Sequence, residues 1–391
     1  MAPLGPFGAA PRLAVGVSGG PHSLALALLA RDFARARGGD ILALVVDHGL
    51  RAASAAEAAW TLHTLAERGI AAELLSLALP PGPAVQERAR QGRLAVLLAA
   101  CAARGRPWLL LGQHRMDQAE TLLFRALRGS GPTGLAGMAG LRPAAEALIL
   151  RPLLGMPPAR LEALLRQHGL TPLRDPSNTD PRFTRARLRA ALGDPDGTGA
   201  GIAAVAQAAD AFACRRARQE AAMAERLAGA VALQPEGWAR LDRVALGGDA
   251  VAQAALAALL RLISGAEHAP ATASVAALLA RGQGTLHGVV WKEGLLCREP
   301  AACAPPIPAV PGAVWDGRWR LTAVTEPGLL WGALGGAATR LERSVRRGLP
   351  ARVLAVLPAL WRGGELAGVP GLQLGMPAEA GFAPAGGPLI G

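Results

Sequence analysis

The sequence predicts an α/β protein: an N-terminal parallel sheet with helices on both faces, followed by a mainly helical domain and a small α+β C-terminal domain. Three observations predict it. From Leu13 to about Leu154, short apolar runs alternate with longer amphipathic ones, the pattern of strands crossed over by helices. A glycine-rich stretch from Gly193 to Gly201 then gives way to alanine- and leucine-rich segments with helical spacing. A proline-rich stretch from Pro300 to Pro311 sets off a last small segment. Domains are therefore expected at 1–192, 201–299 and 312–376, with the glycine-, proline- and alanine-rich residues 377–391 as a disordered tail.

Each element rests on its own run. Residues 13–17, 41–46, 72–77, 108–111 and 148–150 are short apolar stretches of strand length, and residues 23–37, 54–68, 84–104 and 118–127 are amphipathic at helical spacing. Beyond the first break, 202–231 and 250–264 read as helices and 285–298 as a hairpin. In an open parallel sheet, ligands sit beyond the carboxyl ends of the strands at the point where the strand order reverses. The loops after the first, second and fourth strands are thus expected to hold the site.

A chain of 391 residues can bury a large core. Its apolar runs, such as 94–103, stop short of the roughly 18 residues a membrane span needs. Met1 to Pro6 lack the basic and apolar regions of a secretory signal, so no membrane partner and a cytoplasmic location are expected. The net charge of +12 suits a polyanion, because clustered cations release counterions from a phosphate backbone. Lys292 is the only lysine and tyrosine is absent, so biased composition accounts for part of that charge. Cys101, Cys214, Cys297 and Cys303 are scattered without a CxxC pair, which argues against a zinc ribbon or a persulfide-carrying pair.

The loop after the first strand reads Ser18-Gly19-Gly20-Pro21-His22-Ser23. Two glycines permit a tight turn, and the helix start behind them offers backbone amides and a favourable dipole to an anion. It lacks the lysine of a P-loop and the third glycine of a dinucleotide fingerprint. After the second strand, Asp47 and His48 place a carboxylate and an imidazole at a strand end. After the fourth come His114, Asp117 and Glu120, the two acids three apart at a helix start, able to hold an ammonium group or a metal. Arg128 opens a glycine-punctuated loop, and Arg182, Arg185 and Arg189 share one helical face suited to phosphates. Taken singly, each has an ordinary explanation as a cap or a solvated face.

Together, in this order, the pieces resemble the tRNA(Ile)-lysidine synthetases, ATP pyrophosphatase-loop enzymes of adenine nucleotide alpha hydrolase-like fold. The matching stretches are 18–23, 46–51, 112–121, 128–138, 150–154 and 174–189, with weaker likeness at 298–299, 315–319 and 357–361. The resemblance implies a ligase that uses ATP and Mg2+ to attach free L-lysine to C2 of the wobble cytidine of isoleucine tRNA. It implies that Ser18, Gly19, Gly20, Pro21, His22 and Ser23 hold ATP and that Asp117, Glu120 and Arg185 are catalytic, the acids binding lysine. Asp47, His48, His114 and Arg128 complete the nucleotide and substrate site, and Arg182, Arg185 and Arg189 face the tRNA. No metal ligand is assigned, Asp47 being one option. Oligomeric state stays open, a homodimer included.

Three positions depart from the family pattern: His22 stands for the loop aspartate, Met116 for an acid, and Ala186 for an asparagine. A neutral imidazole is a poor magnesium ligand, whereas a protonated one could pair with a phosphate. Two alternatives therefore stand beside the ligase: a non-catalytic tRNA- or nucleotide-binding paralogue, and another ATP pyrophosphatase-loop tRNA-modifying enzyme.

Overall fold

The alternating runs of the first half form a six-stranded sheet in the computed structural model, which describes residues 4–47, 49, 53–77, 85–174, 184–385 and 387, without the side chains of 85–87, 132, 133, 185 and 186. The chain divides into two compact units, Met1–Ala217 and Arg218–Gly391. In the first, the elements are β1 (Arg12–Val17), α1 (Pro21–Arg35), β2 (Asp40–Asp47), α2 (Ser54–Glu67), β3 (Ala71–Ser76), α3 (Val85–Ala103) and β4 (Trp108–Leu110). They continue with α4 (Arg115–Leu127), the single turn α5 (Pro132–Leu135), β5 (Leu141–Pro143), β6 (Leu148–Leu150), α6 (Pro158–Gln167), α7 (Thr184–Leu192) and α8 (Ala200–Ala230). The five expected strands and four expected helices are all present, with ends shifted by a few residues.

Strand order is β3-β2-β1-β4-β6-β5, parallel throughout except for β5, which runs antiparallel to β6. Successive side chains on a strand point to opposite faces. Leu13, Val15 and Val17 of β1 accordingly pack with Leu24 and Leu28 of α1 and Leu161 and Leu165 of α6. Ala14 goes the other way, joining Leu109, Ile149 and the α3 residues Leu97, Leu98 and Cys101. The chain leaves β1 toward β2 on one side and returns to β4 on the other. The topological switch point therefore lies between β1 and β4.

The glycine-rich stretch is not a loose link. Asp194 accepts hydrogen bonds from the amides of Thr198 (3.3 Å) and Gly199 (2.8 Å), closing a turn directly into α8. The division between units falls inside α8 instead.

In the second unit, β7 (Val231–Gln234), β8 (Trp238–Leu241), the short α9 (Arg243–Leu246), α10 (Ala250–Ser264) and α11 (Thr272–Arg281) precede β9 (Gly284–Leu286), β10 (Val289–Lys292) and β11 (Leu295–Arg298). The expected hairpin belongs to the five-stranded sheet β7-β8-β11-β10-β9, against which α10 and α11 bury Leu256, Leu259, Ile263 and Leu278. Then come β12 (Ile307–Pro308), β13 (Val314–Trp315), β14 (Trp319–Val324), β15 (Leu330–Ala333), α12 (Ala351–Ala355), β16 (Pro358–Arg362), β17 (Glu365–Val369), β18 (Leu374–Gly375) and β19 (Ala378–Phe382).

The later segments depart from expectation at the proline-rich linker and at the tail. The proline-rich stretch does not separate independent domains: the amide of Ala304 donates to Asp316 (2.9 Å), and Trp315 Nε1 donates to the carbonyls of Ala304 and Pro305 (both 3.2 Å). Trp238 and Cys297 share a core with Val353, Leu354 and Val369 from the last segment. The supposed disordered tail supplies β19, which pairs with β14 and brings Phe382 against Trp319 with ring centroids 5.4 Å apart. Small residues suit this strand because alternate positions face a surface already filled by tryptophans. Residues 386 and 388–391 lie outside the described residues. Among the described residues no helix is long and apolar enough to cross a membrane.

Candidate active site

The loop after β1 turns at Gly19, whose φ of +76° favours glycine. A Cβ there would also lie 2.5 Å from Thr61 Oγ1 and 2.8 Å from Leu173 Cδ1. The Gly19 carbonyl accepts from the amide of Leu173 (3.0 Å), so the loop is anchored from behind. Pro21 opens α1, where a missing N–H costs nothing, and no acid occupies the first turn. Ser23 Oγ accepts from the Ser18 amide (3.2 Å), lies 3.3 Å from Ser18 Oγ and donates to the Gly20 carbonyl (3.0 Å). Both hydroxyls thus border a helix start that is electrostatically ready for phosphate. Gly19→Ala is expected to lower ATP affinity at least tenfold and to cost roughly 1–3 kcal/mol of stability, from a strained backbone and a clash. Nucleotide titration and urea unfolding of that variant check it.

The loop after β4 packs straight onto this turn. A Cβ on Gly112 would sit 3.2 Å from the His22 carbonyl and from the backbone of Ser23, so its glycine permits the approach. Two residues on, His114 caps α4: its Nδ1 accepts from the Met116 amide (3.2 Å), and Asp117 Oδ2 accepts from the His114 amide (3.0 Å). With Nδ1 accepting, the neutral ring carries its proton on Nε2, which lies 3.4 Å from Asp117 Oδ2. The rings of His22 and His114 meet edge to face at 3.9 Å between centroids. The loops after β1 and β4 therefore close on each other across the switch point.

Burial first, and then the neighbouring His114, push the His22 pKa from its ordinary 6.5 to about 4, against the opposite pull of Asp117 and Glu162. Burial also lowers His114. Burial thus favours the neutral form of His22 at neutral pH, which argues against an imidazolium waiting for a phosphate. Its Nε2 is buried without a partner. The unfolded chain protonates this ring near pH 6.5 and the folded chain only near 4, so stability falls as pH drops through that window. The full loss from His22 is about 3 kcal/mol. Urea unfolding at stepped pH should show it in the wild type and show a shallower fall in His22→Asn.

Glu120, one turn after Asp117, is turned inward: its side chain is 2% exposed, and its Oε1 accepts from Arg189 Nε (2.7 Å) and the terminal nitrogen (2.6 Å). The two acids at the start of α4 thus differ. Asp117 is 28% exposed and every hydrogen bond to its carboxylate from the described residues meets Oδ2. Glu120 fixes Arg189, which the sequence placed on a tRNA-facing surface. Arg182 and His48 lie outside the described residues, as does the side chain of Arg185.

Asp47 accepts through Oδ1 from Ser54 Oγ (2.7 Å) and the Gly49 amide (3.0 Å), the bonding of a turn residue. Arg128 sits at the far end of α4, roughly 16 Å along the helix axis from Asp117, stacked on Phe124 at 4.3 Å. It does not join the cluster. Met116, which stands where the family pattern has an acid, is 1% exposed and packs with Ala119, Ile202, Leu192 and Val205. Sequence reasoning missed Glu162 of α6, which acts on His22 and pairs with Arg174 at 2.9 Å. Nothing in its ordinary amphipathic helix marks it.

A family described as PP-loop domain matches residues 4–195. The tRNA(Ile)-lysidine synthase of Ruegeria pomeroyi is 36% identical over 394 aligned residues, 94% of this chain and 91% of its own length. The chain belongs to the tRNA(Ile)-lysidine synthase family. The member from Novosphingobium aromaticivorans is 48% identical over 181 residues, 46% of this chain and only 55% of that protein, so this match covers about half the relative's length. A solved structure of the U34-tRNA thiolase NcsA from Methanococcus maripaludis with its [4Fe-4S] cluster is 16% identical, with a TM-score of 0.46, and covers 54% of this chain and 74% of that one.

The groups around the start of α1 suit phosphate oxygens better than a protein-held magnesium. Magnesium favours carboxylate and phosphate oxygens in an octahedron. Position 22 supplies a buried neutral imidazole, Asp47 is engaged in its turn, and no group of three or more His, Cys, Asp or Glu among the described residues could hold a metal ion.

Proposed function

We propose that this chain is an ATP-dependent ligase that joins free lysine to C2 of the wobble cytidine of isoleucine tRNA; relatives named tRNA(Ile)-lysidine synthase support the reading. One observation supports the reading most: the phosphate-binding turn after β1 and the acid-bearing start of α4 face each other across the switch point, His22 against His114. That juxtaposition sets an anion site beside a carboxylate, as a reaction between a triphosphate and an ammonium-bearing substrate requires.

In the first step the C2 oxygen of the base attacks the α-phosphorus of ATP, and pyrophosphate leaves. The amides at the start of α1, with Ser18 and Ser23, hold the phosphates and offset the charge that develops on them. In the second step the lysine ε-nitrogen attacks C2, the C–O bond breaks and AMP departs with the oxygen. Asp117 Oδ1 binds the ammonium and takes the proton that the nitrogen must lose before or during attack. His114, held as the Nε2–H tautomer, keeps Asp117 in place. Arg189, fixed by Glu120, lends positive charge beside the leaving phosphate. Pyrophosphate release from ATP that depends on isoleucine tRNA but not on lysine tests the first step. Release that ignores the tRNA contradicts it.

A second reading, a non-catalytic paralogue, is favoured by His22 alone. Such a protein would bind ATP and tRNA and release no pyrophosphate.

A further inference from the structure

Beyond α6 the chain turns back along the helix and meets the phosphate turn. The Leu173 amide donates to the Gly19 carbonyl (3.0 Å), and a Cβ on Gly20 would lie 4.0 Å from the Leu173 carbonyl oxygen. The next residue, Arg174, therefore starts beside the turn. Its guanidinium meets Glu162 of α6, the terminal nitrogens lying 2.9 and 3.5 Å from the two carboxylate oxygens. Leu161, next to Glu162, packs with Leu24 of α1, so the carboxylate stands on a helix fixed against the one that follows the turn. Burial lowers the pKa of His22 in that turn, and Glu162 is among the acids that oppose it.

The pair contributes little to the fold. Arg174 is 71% exposed and Glu162 29%, and among the described residues neither has a second ion pair. Ion pairs this open to water add little stability. The turn at 18–23 meanwhile holds amides, hydroxyls and an imidazole but no lysine or arginine, whereas a triphosphate carries several negative charges. A phosphate offers a guanidinium the same forked geometry as a carboxylate, with more charge behind it. Arg174 thus stands between two acceptors that suit it.

We propose that Arg174 is a phosphate-binding residue for ATP, and that Glu162 competes with the polyphosphate for its guanidinium. This rests on the reading of the turn after β1 as the ATP site. Binding draws the guanidinium from the carboxylate onto the polyphosphate, so Arg174 raises the ATP affinity and Glu162 lowers it. Two members of one ion pair act in opposite directions. In a purely structural salt bridge, loss of either partner would act in the same direction.

The test titrates ATP into the full chain and into Arg174→Ala, Arg174→Lys, Glu162→Gln and the double variant Arg174→Ala with Glu162→Gln. Inorganic pyrophosphate and adenosine serve as competing probes. Arg37→Ala, an exposed arginine beyond the far end of α1, is the charge-matched control. Arg174→Ala should weaken ATP and pyrophosphate about tenfold, the scale of a charged hydrogen bond, and leave adenosine unchanged. Arg174→Lys, which keeps the charge without the fork, should fall between that variant and the wild type. Glu162→Gln should tighten ATP about threefold, the scale of an exposed pair, and the gain should vanish in the double variant. Melting temperatures, and the ATP affinity of the control, should match the wild type. Unchanged ATP affinity in Arg174→Ala would overturn the proposal, as would weaker ATP binding in Glu162→Gln. A gain that persists without Arg174, or an equal loss of adenosine, would overturn it too. A wild-type chain that binds no ATP would instead overturn the reading of the turn, and the proposal with it.

Discussion

Glu120→Gln should reduce lysine ligation roughly a hundredfold while leaving ATP binding within a factor of two. The carboxylate is 2% exposed and holds Arg189 through two short hydrogen bonds to one oxygen. Glutamine retains the shape and an oxygen with two lone pairs for the same bonds, but loses the charge that fixes the guanidinium, and displacements of about 1 Å near reacting atoms are worth about that much in rate. Stability should fall as well, by about 2–3 kcal/mol, since charged hydrogen bonds in buried surroundings contribute on that scale. Arg189 is a third exposed and recovers some of its hydration, which keeps the cost below that of a fully buried pair. A double-mutant cycle with Arg189→Gln checks the mechanism: the two effects should fail to add by about 1 kcal/mol or more, on the order expected of contacting charges. Additive effects would show that the pair does not work as a unit.

The second large effect belongs to the other unit. Asp316, at φ +53°, accepts from Arg298 Nε (3.0 Å) and its terminal nitrogen (2.8 Å), from Arg318 Nε (2.7 Å) and from the Ala304 amide (2.9 Å). Its side chain is 2% exposed and that of Arg318 is 0% exposed. One carboxylate thus ties the end of β11, the proline-rich stretch and the β13–β14 turn, and Asp316→Ala would leave two buried cations unpaired. Removing one partner of a buried ion pair costs about 3–5 kcal/mol. For a unit of this size that is a melting shift of roughly 6–20 °C. ATP affinity, a property of the first unit, should not change. Calorimetry with nucleotide titration of the same variant separates the two, and a shift under about 2 °C would mean the cluster does not hold this unit together.

The sheet and the turns that border the candidate site were legible because they are local. The runs of β1, β2 and β4 declare themselves by apolar spacing, and the glycines at 19, 20 and 112 mark where the chain must turn or approach closely. What the sequence did not disclose is mutual. Glu120 and Asp117 look alike as acids three apart, and only the arrival of Arg189 from α7, 69 positions later, separates a buried partner from an exposed one. His22 reads as a polar loop residue until His114 and its own burial make it neutral. Met116 reads as a lost acid until Ile202 and Leu192 receive it in an apolar cluster. The same holds for the second half of the chain: Pro300 to Pro311 and the stretch after Pro377 have the composition of linkers, and Asp316, Trp315 and the open edge of β14 organise them.

The central claim is that a site with a neutral imidazole at loop position 22 still performs ligation. Its most direct test is incorporation of labelled lysine into an isoleucine tRNA transcript by the wild-type chain with ATP and magnesium, run beside His22→Asp. Incorporation by the wild type that requires ATP, and that Ser23→Ala abolishes, is the predicted result. No incorporation by the wild type, with or without recovery in His22→Asp, would contradict the claim and leave a protein that binds its substrates without joining them.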